Sequence, residues 1–203
     1  MFNAKVNTGP LLQAGCVNGR EGLECTQGDV KPFACMPRSR VEDLLGALMP
    51  AAAIAECNTV ARDPGSEGIV HLGCMLPVVR RYVVASGGKV ELLKSQKEFV
   101  ARFAPVETPE EALAFALALT RAEARREVVI PRDAEVYVQH VEPTYVETSR
   151  RGFKVHLFEF QLCGCGPHDH LAVDYLVTRD GQVKQLSSQP IYADPKMKHV
   201  CVD

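Results

Sequence analysis

Hydrophobic positions change their period twice along the chain, and each change predicts a different kind of structure. Residues 1–38 keep no period; Gly, Asn, Pro and Cys interrupt them, so they predict an irregular segment that needs packing or covalent support. From Ser39 the spacing turns helical. Ser39-Arg40-Val41-Glu42 has the form of a capping box, in which hydroxyl and carboxylate satisfy each other's backbone N–H, and Leu44, Leu45 and Leu48 then share one face. Pro50 is expected to kink that helix or to separate it from a second helical turn over residues 51–57.

Asp63-Pro64-Gly65-Ser66 predicts a turn, and Ile69, Val70 and Leu72 predict a short strand within 68–74. Strands over 78–85 and 89–93 flank Ser86-Gly87-Gly88, whose glycines accept the positive φ of a tight hairpin; the Lys and Ser/Thr of a phosphate-cradling loop are missing. Ser95-Gln96-Lys97-Glu98 starts a short helix carrying Phe99, Val100 and Phe103. Thr108-Pro109-Glu110-Glu111 opens the best-marked helix, with an N-cap Thr, a Pro at the first position and two acids in the first turn. It is expected to reach about Arg126, with Ala112, Phe115, Ala116 and Leu119 as an apolar stripe that Leu113 and Leu117 widen. Arg121, Arg125 and Arg126 suit the negative end of its dipole, as a solvated helix end in preference to an anion site.

Only strands are predicted after that helix, over 128–130, 135–141, 144–148, 153–162, 171–178 and 182–187, with hairpin turns at Arg150-Arg151-Gly152 and Asp180-Gly181. Within 153–162, Phe153, Val155 and Leu157 fall on one face while Phe158, Phe160 and Leu162 fall on the other. A bulge, a twist into a second core or cover on both sides would each explain the change of phase, and a bend near Leu157 is the expectation. The order predicts an α+β fold: an antiparallel sheet of four or more strands packed on one long helix, resembling the cystatin fold in outline only, with a Cys-rich, partly irregular N-terminal half. The boundary is placed between a Cys-rich α+β region, residues 1–104, and a helix-plus-sheet domain, residues 105–203. Such an outline does not fix a function.

Composition changes this picture at sulfur. Cys16, Cys25, Cys35, Cys57, Cys74, Cys163, Cys165 and Cys201 are an even set of 8 in 203 residues, concentrated in the irregular front and at a loop and terminus, a distribution that suits disulfide stapling. Stapling implies an oxidising, extracytoplasmic location, secreted or periplasmic; the alternative is a cytoplasmic protein with eight buried thiols. The first ten residues lack the apolar stretch of a leader, so removal of a leader, with Met1 added, is the expected history. Leu11-Leu12-Gln13-Ala14-Gly15-Cys16 faintly resembles the end of a lipoprotein leader, which would put a lipid on Cys16.

The densest chemistry lies in Cys163-Gly164-Cys165-Gly166-Pro167-His168-Asp169-His170. Cys163, Cys165, His168 and His170 offer thiolates and imidazoles suited to zinc or copper, with Cys201 and His199 as a remote pair, although one loop must wrap very tightly to present four ligands. The competing reading joins Cys163 and Cys165 to different partners, one of them Cys201 and the other an N-terminal cysteine. A third makes one thiol a nucleophile with His168 or His170 as base and Asp169 orienting it. His71 and His156 read as satisfied sheet residues, and Asp174 as either a buried carboxylate with a raised pKa or a solvent-facing one.

The remaining composition narrows the partners. With 23 Lys+Arg against 25 Asp+Glu, a net charge of -2 and no basic cluster, a nucleic-acid groove is not expected. No Trp and 6% aromatic residues leave little for stacking on sugars or bases. The apolar run at 112–119 is far too short to span a bilayer. These features point to a soluble, non-catalytic binding or protein-interaction protein with a protein or peptide partner and no cofactor. Metal binding at residues 163–170 is the alternative and a thiol-dependent enzyme the second; the oligomeric state stays open.

Overall fold

The computed structural model describes residues 4–20, 22–37, 42–61, 65–75 and 78–202, and shows a mixed α+β protein built mostly of antiparallel sheet. The expected irregular front contains one turn of helix, α1 (Gly9–Gln13), a small ribbon of β1 (Val17–Gly19) with β2 (Gly22–Glu24), and two 3-10 turns, Gly28–Phe33 and Asp43–Ala47. The second turn replaces the helix expected after Ser39. Gly46 presses against the backbone of Lys5, where a Cβ would meet it at 2.4 Å, and Pro50 follows four residues later, so the segment stops after one turn with Leu45 and Leu48 buried. Ser39, Arg40 and Val41 of the expected capping box, and Asp63-Pro64 of the expected turn, lie outside the described residues.

The helical turn expected over 51–57 is instead strand β3 (Ala53–Val60). It sits between two cores, sending Ile54 to the larger and Ala53, Ala55 and Cys57 to the smaller, so pairing and two-sided burial override the helical preference of its alanines. β4 (Val70–Leu72), β5 (Val78–Ser86) and β6 (Lys89–Leu93) complete this sheet. β5 pairs β3 along one edge and divides its other edge between β4 and β6. Gly87 and Gly88, at φ 57° and 75°, make the predicted hairpin turn.

α2 (Gln96–Phe103) and α3 (Pro109–Leu119) both begin in full capping boxes, Ser95 with Glu98 and Thr108 with Glu111. α3 ends at Leu119, seven residues before the expected Arg126, and every residue from Glu111 to Leu119 is buried. Its run EALAFALAL is apolar all round, so it belongs inside the protein, not on a solvated flank. β5 terminates it: Arg80 donates to the carbonyls of Leu117 and Thr120 at 3.4 and 3.1 Å, and the Tyr82 hydroxyl donates to Ala118 O at 3.1 Å. Arg80 thus meets the negative helix end, and Arg121, Arg125 and Arg126 lie beyond the helix.

The C-terminal sheet runs in the order β7 (Glu135–Val136), β12 (Val183–Ala193), β11 (Asp169–Val177), β9 (Gly152–Phe160), β8 (Tyr145–Ser149), all antiparallel. The expected strand over 135–141 shrinks to two residues; Val138 and Val141 instead pack over the sheet's outer face with Val128 and Ile130. β9 has no bend near Leu157. Its register against β11 is continuous from Phe153↔Val177 to Phe160↔His170, and the change of phase arises because the strand is covered on both sides. Phe153, Val155 and Leu157 join α3 in the main core, and Phe158 joins Ile191 and Tyr192 in an outer one. The irregularities lie in β12, where Ile191 and Leu186 are the extra residues that curl the sheet. The main core takes residues from both sheets, α2 and α3. β10 (Gly164–Cys165) pairs β13 (Cys201–Val202), tying the tail to the 163–170 loop, with a 3-10 turn at Pro195–Met197 between. No helix among the described residues is long and apolar enough to cross a membrane.

Candidate functional site

All eight cysteines are paired, as Cys16–Cys25, Cys35–Cys57, Cys74–Cys163 and Cys165–Cys201. Cys163 and Cys165 take different partners, one of them Cys201 and the other in the N-terminal half, which is the stapled reading of the loop. Cys16 is bonded to Cys25, so its sulfur carries no lipid in this form. No free thiol is left for a nucleophile.

The two loop histidines are not brought together with those sulfurs as ligands. His168 is 2% exposed, and its Nδ1 and Nε2 lie 3.0 and 2.9 Å from the carbonyl oxygens of Gln161 and Val200, so both ring nitrogens hold backbone. His170 stacks on Tyr192 at 4.2 Å and lies 4.6 Å from Phe160. Burial, with the Arg125 charge added, holds the His170 imidazole below its usual range. Among the described residues no group of three His, Cys, Asp or Glu side chains is placed to hold a metal. Asp169 pairs in register with Ala193 at the start of β11.

Polar side chains converge instead on the outer face of the C-terminal sheet. The register sets Tyr145, His156, Asp174 and Ser187 opposite one another on four adjacent strands, so their side chains fall in one row. His156 Nδ1 lies 2.7 Å from Asp174 Oδ1; Lys154 Nζ and Ser187 Oγ reach Asp174 Oδ2 at 3.1 and 3.0 Å. Burial alone would raise the Asp174 carboxyl, but the bonds from His156, Lys154 and Ser187 together hold it below the ordinary carboxylate range. Asp174 is half-buried, neither fully enclosed nor solvent-facing, and its carboxyl is lowered where the buried reading expected it raised. Tyr145 stacks flat on His156 at 4.8 Å and 10°, and Phe158 meets the ring edge-on at 5.4 Å. The alternation of Lys154, His156 and Phe158 was readable, but which strands lay beside them was not.

Beside Tyr145 a cleft of about 390 Å³ opens between the 43–47 turn, α3 and the start of β8. Leu44, Leu113, Ala124, Pro143 and Val146 give it apolar walls, and its charged lining is Arg125 and Arg126. Arg125 is engaged: its guanidinium pairs with Glu123 and stands 5.4 Å over Phe158. Its backbone is pinned by Thr144, which accepts from Arg125 N and donates to Arg125 O, both at 2.9 Å. Arg126 is exposed and makes no ion pair among the described residues. The arginines were visible in the sequence, but the helix end assigned to them there hid the wall they form. Compared with protein-family models, curated proteins and solved structures, the chain matches none, so its site is read from its own chemistry.

Proposed function

We propose that the protein is a non-catalytic binding protein of an oxidising, extracytoplasmic compartment, and that it holds a small ligand with an apolar body and one anionic group in the cleft between Leu44, Leu113 and Val146. Its four disulfides fit an extracytoplasmic location. The observation that carries the ligand class is the lining itself: apolar walls, two arginines and, among the described residues, no acid. A volume of about 390 Å³ is in the range of small-molecule sites, and a carboxylate paired with Arg126 keeps an apolar chain or ring against Leu113 and Val146.

Titration calorimetry with a medium-chain carboxylate and with its primary amide tests this. The carboxylate is expected to bind saturably and the amide at least about tenfold more weakly, a difference of about 1.4 kcal/mol. Arg126→Gln lowers carboxylate affinity by a similar factor, and Ala124→Trp, which fills the cleft, abolishes binding. Equal affinities for acid and amide, or unchanged binding by Ala124→Trp, overturn the reading.

A further inference from the structure

The cleft beside Tyr145 opens at the free edge of a sheet. β8 is the last strand on its side of the C-terminal sheet, and its register against β9 runs from Tyr145↔His156 to Ser149↔Gly152 without a shift. Residues of an antiparallel ladder alternate between bonding the neighbouring strand and pointing away from it. Phe158 exchanges both of its backbone bonds with Glu123, at 3.1 and 2.8 Å, so on that side of β9 the bonding residues are Phe158, His156, Lys154 and Gly152. Their partners Tyr145, Glu147 and Ser149 bond β9, and Thr144, Val146 and Thr148 turn N–H and C=O outward. The outward N–H of Thr144 donates to Arg125 O at 2.9 Å, so the 123–125 segment lies along this edge up to that point. Beyond it, among the described residues, no strand and no backbone bond takes the outward groups of Val146 and Thr148. The opposite edge is blunted: β12 carries extra residues at Leu186 and Ile191 and a proline at Pro190, and β7 covers its end. β8 has none of these devices.

We propose that the ligand of this cleft is the C-terminus of an extended peptide, which adds to β8 as a further, antiparallel strand; the inference rests on the anionic, apolar reading of the cleft given above. The terminal carboxylate meets Arg126, and the last side chain, an apolar one, enters between Leu44, Leu113 and Val146. The residues before it run along the open edge and bond the outward N–H and C=O of Val146 and Thr148, which give affinity to a backbone and nothing to a simple fatty carboxylate. The direction follows from the placement: β8 runs away from Arg126, so a peptide ending at Arg126 runs against it. A second copy of this chain suits the edge less well. The antiparallel register that uses Val146 and Thr148 of both copies sets Glu147 opposite Glu147, two like charges, whereas a peptide end brings its carboxylate to an arginine with no ion pair among the described residues.

Calorimetry and amide hydrogen exchange test this with a short peptide of alternating threonine and valine that ends in valine with a free carboxylate. It is expected to bind at least about tenfold more tightly than a medium-chain carboxylate, and its C-terminal amide at least about tenfold more weakly than the acid. Exchange at the Val146 and Thr148 amides slows in the complex, while the Glu147 amide, already bonded to β9, changes little. Methylating one alternate set of the peptide's backbone nitrogens removes the gain over the carboxylate, and methylating the other set does not, because only one set faces β8. Thr148→Pro deletes an outward N–H and none that β9 uses, a substitution edge strands tolerate, and lowers peptide affinity by about tenfold; the methylated peptides carry the same test on the unaltered protein should that variant not fold. A peptide no tighter than the carboxylate, equal effects of the two methylated sets, unchanged exchange at Val146 and Thr148, or a dimer of the free protein that Thr148→Pro dissociates overturns the inference. Saturable binding of the medium-chain carboxylate alongside any of those results leaves the small-ligand reading standing, and a peptide that binds with every expected mark while the carboxylate does not bind overturns that reading alone.

Discussion

The two faces of β3 and β5 open onto cores of different construction. One, shared with α3 and the C-terminal sheet, buries Tyr82, Phe99, Phe103, Phe115, Phe153 and Tyr175. The other, under α1 and the β1–β2 ribbon, has twelve buried side chains among the described residues, of which four are cysteines, four are alanines and none is aromatic. Burial stabilises by roughly 0.8 kcal/mol per methylene, so a face of alanines gains little from water exclusion. Two disulfides, Cys16–Cys25 and Cys35–Cys57, lie inside that thin core. Apolar area holds the aromatic core, and covalent closure supports the thin one.

The sharpest way to break this comparison is to open one disulfide inside the thin core and one that lies in neither core. Cys74–Cys163 spans 89 residues and joins the halves, and Cys16–Cys25 spans 9. Chain entropy assigns roughly 4–5 kcal/mol to the first and roughly 2–3 to the second. Paired Cys→Ala variants of each, compared by denaturant unfolding, are expected to fall in that order. A larger loss for Cys16 and Cys25 would mean that those sulfurs matter more as core side chains than as links.

The aromatic core makes the converse prediction. Phe115 is fully buried, edge-on to Phe99 at 5.4 Å, and one of its ring carbons would lie 2.9 Å from a Cβ at Gly181. Phe115→Ala is expected to lose about 3–5 kcal/mol with all four disulfides intact, because the helix is enclosed on every side and the hole cannot collapse. Hydrogen exchange should show protection falling in α3, β9 and β11 while the β1–β2 ribbon keeps its own. Uniform loss across both regions would show that the two cores unfold as one.

The same contrast explains what could be read in advance. Capping residues and turn glycines act locally, so Thr108, Ser95, Gly87-Gly88 and Asp180-Gly181 marked their elements at the right places. Residues whose role depends on a distant neighbour did not. Ala53 to Cys57 looked helical until β5 paired with them, and α3 looked amphipathic because its second covering sheet comes from the other half of the chain. The cysteines told of stapling at residues 163 and 165, since sulfur count and loop position suffice for that. The row Tyr145, His156, Asp174, Ser187 needed the register of four strands, and Arg126 needed the end of α3 at Leu119, neither of which any local pattern encodes.

That polar row gives the smallest of the three stability effects, and its dependence on pH is fixed by sign. The folded Asp174 carboxyl lies below its unfolded value, so the unfolded chain takes up the proton first as pH falls. Its contribution is therefore complete above the ordinary carboxylate range, near pH 4, and disappears as pH drops through the lower folded value. Asp174→Asn should cost roughly 1–3 kcal/mol at neutral pH, the size of hydrogen bonds to a charged group from Lys154, His156 and Ser187. The gap between variant and parent should close below about pH 4, where the parent loses the charge as well. Chemical denaturation across that range decides it: a gap that stays constant into acid would show that shape, not the carboxylate charge, holds the four strands in register at this face.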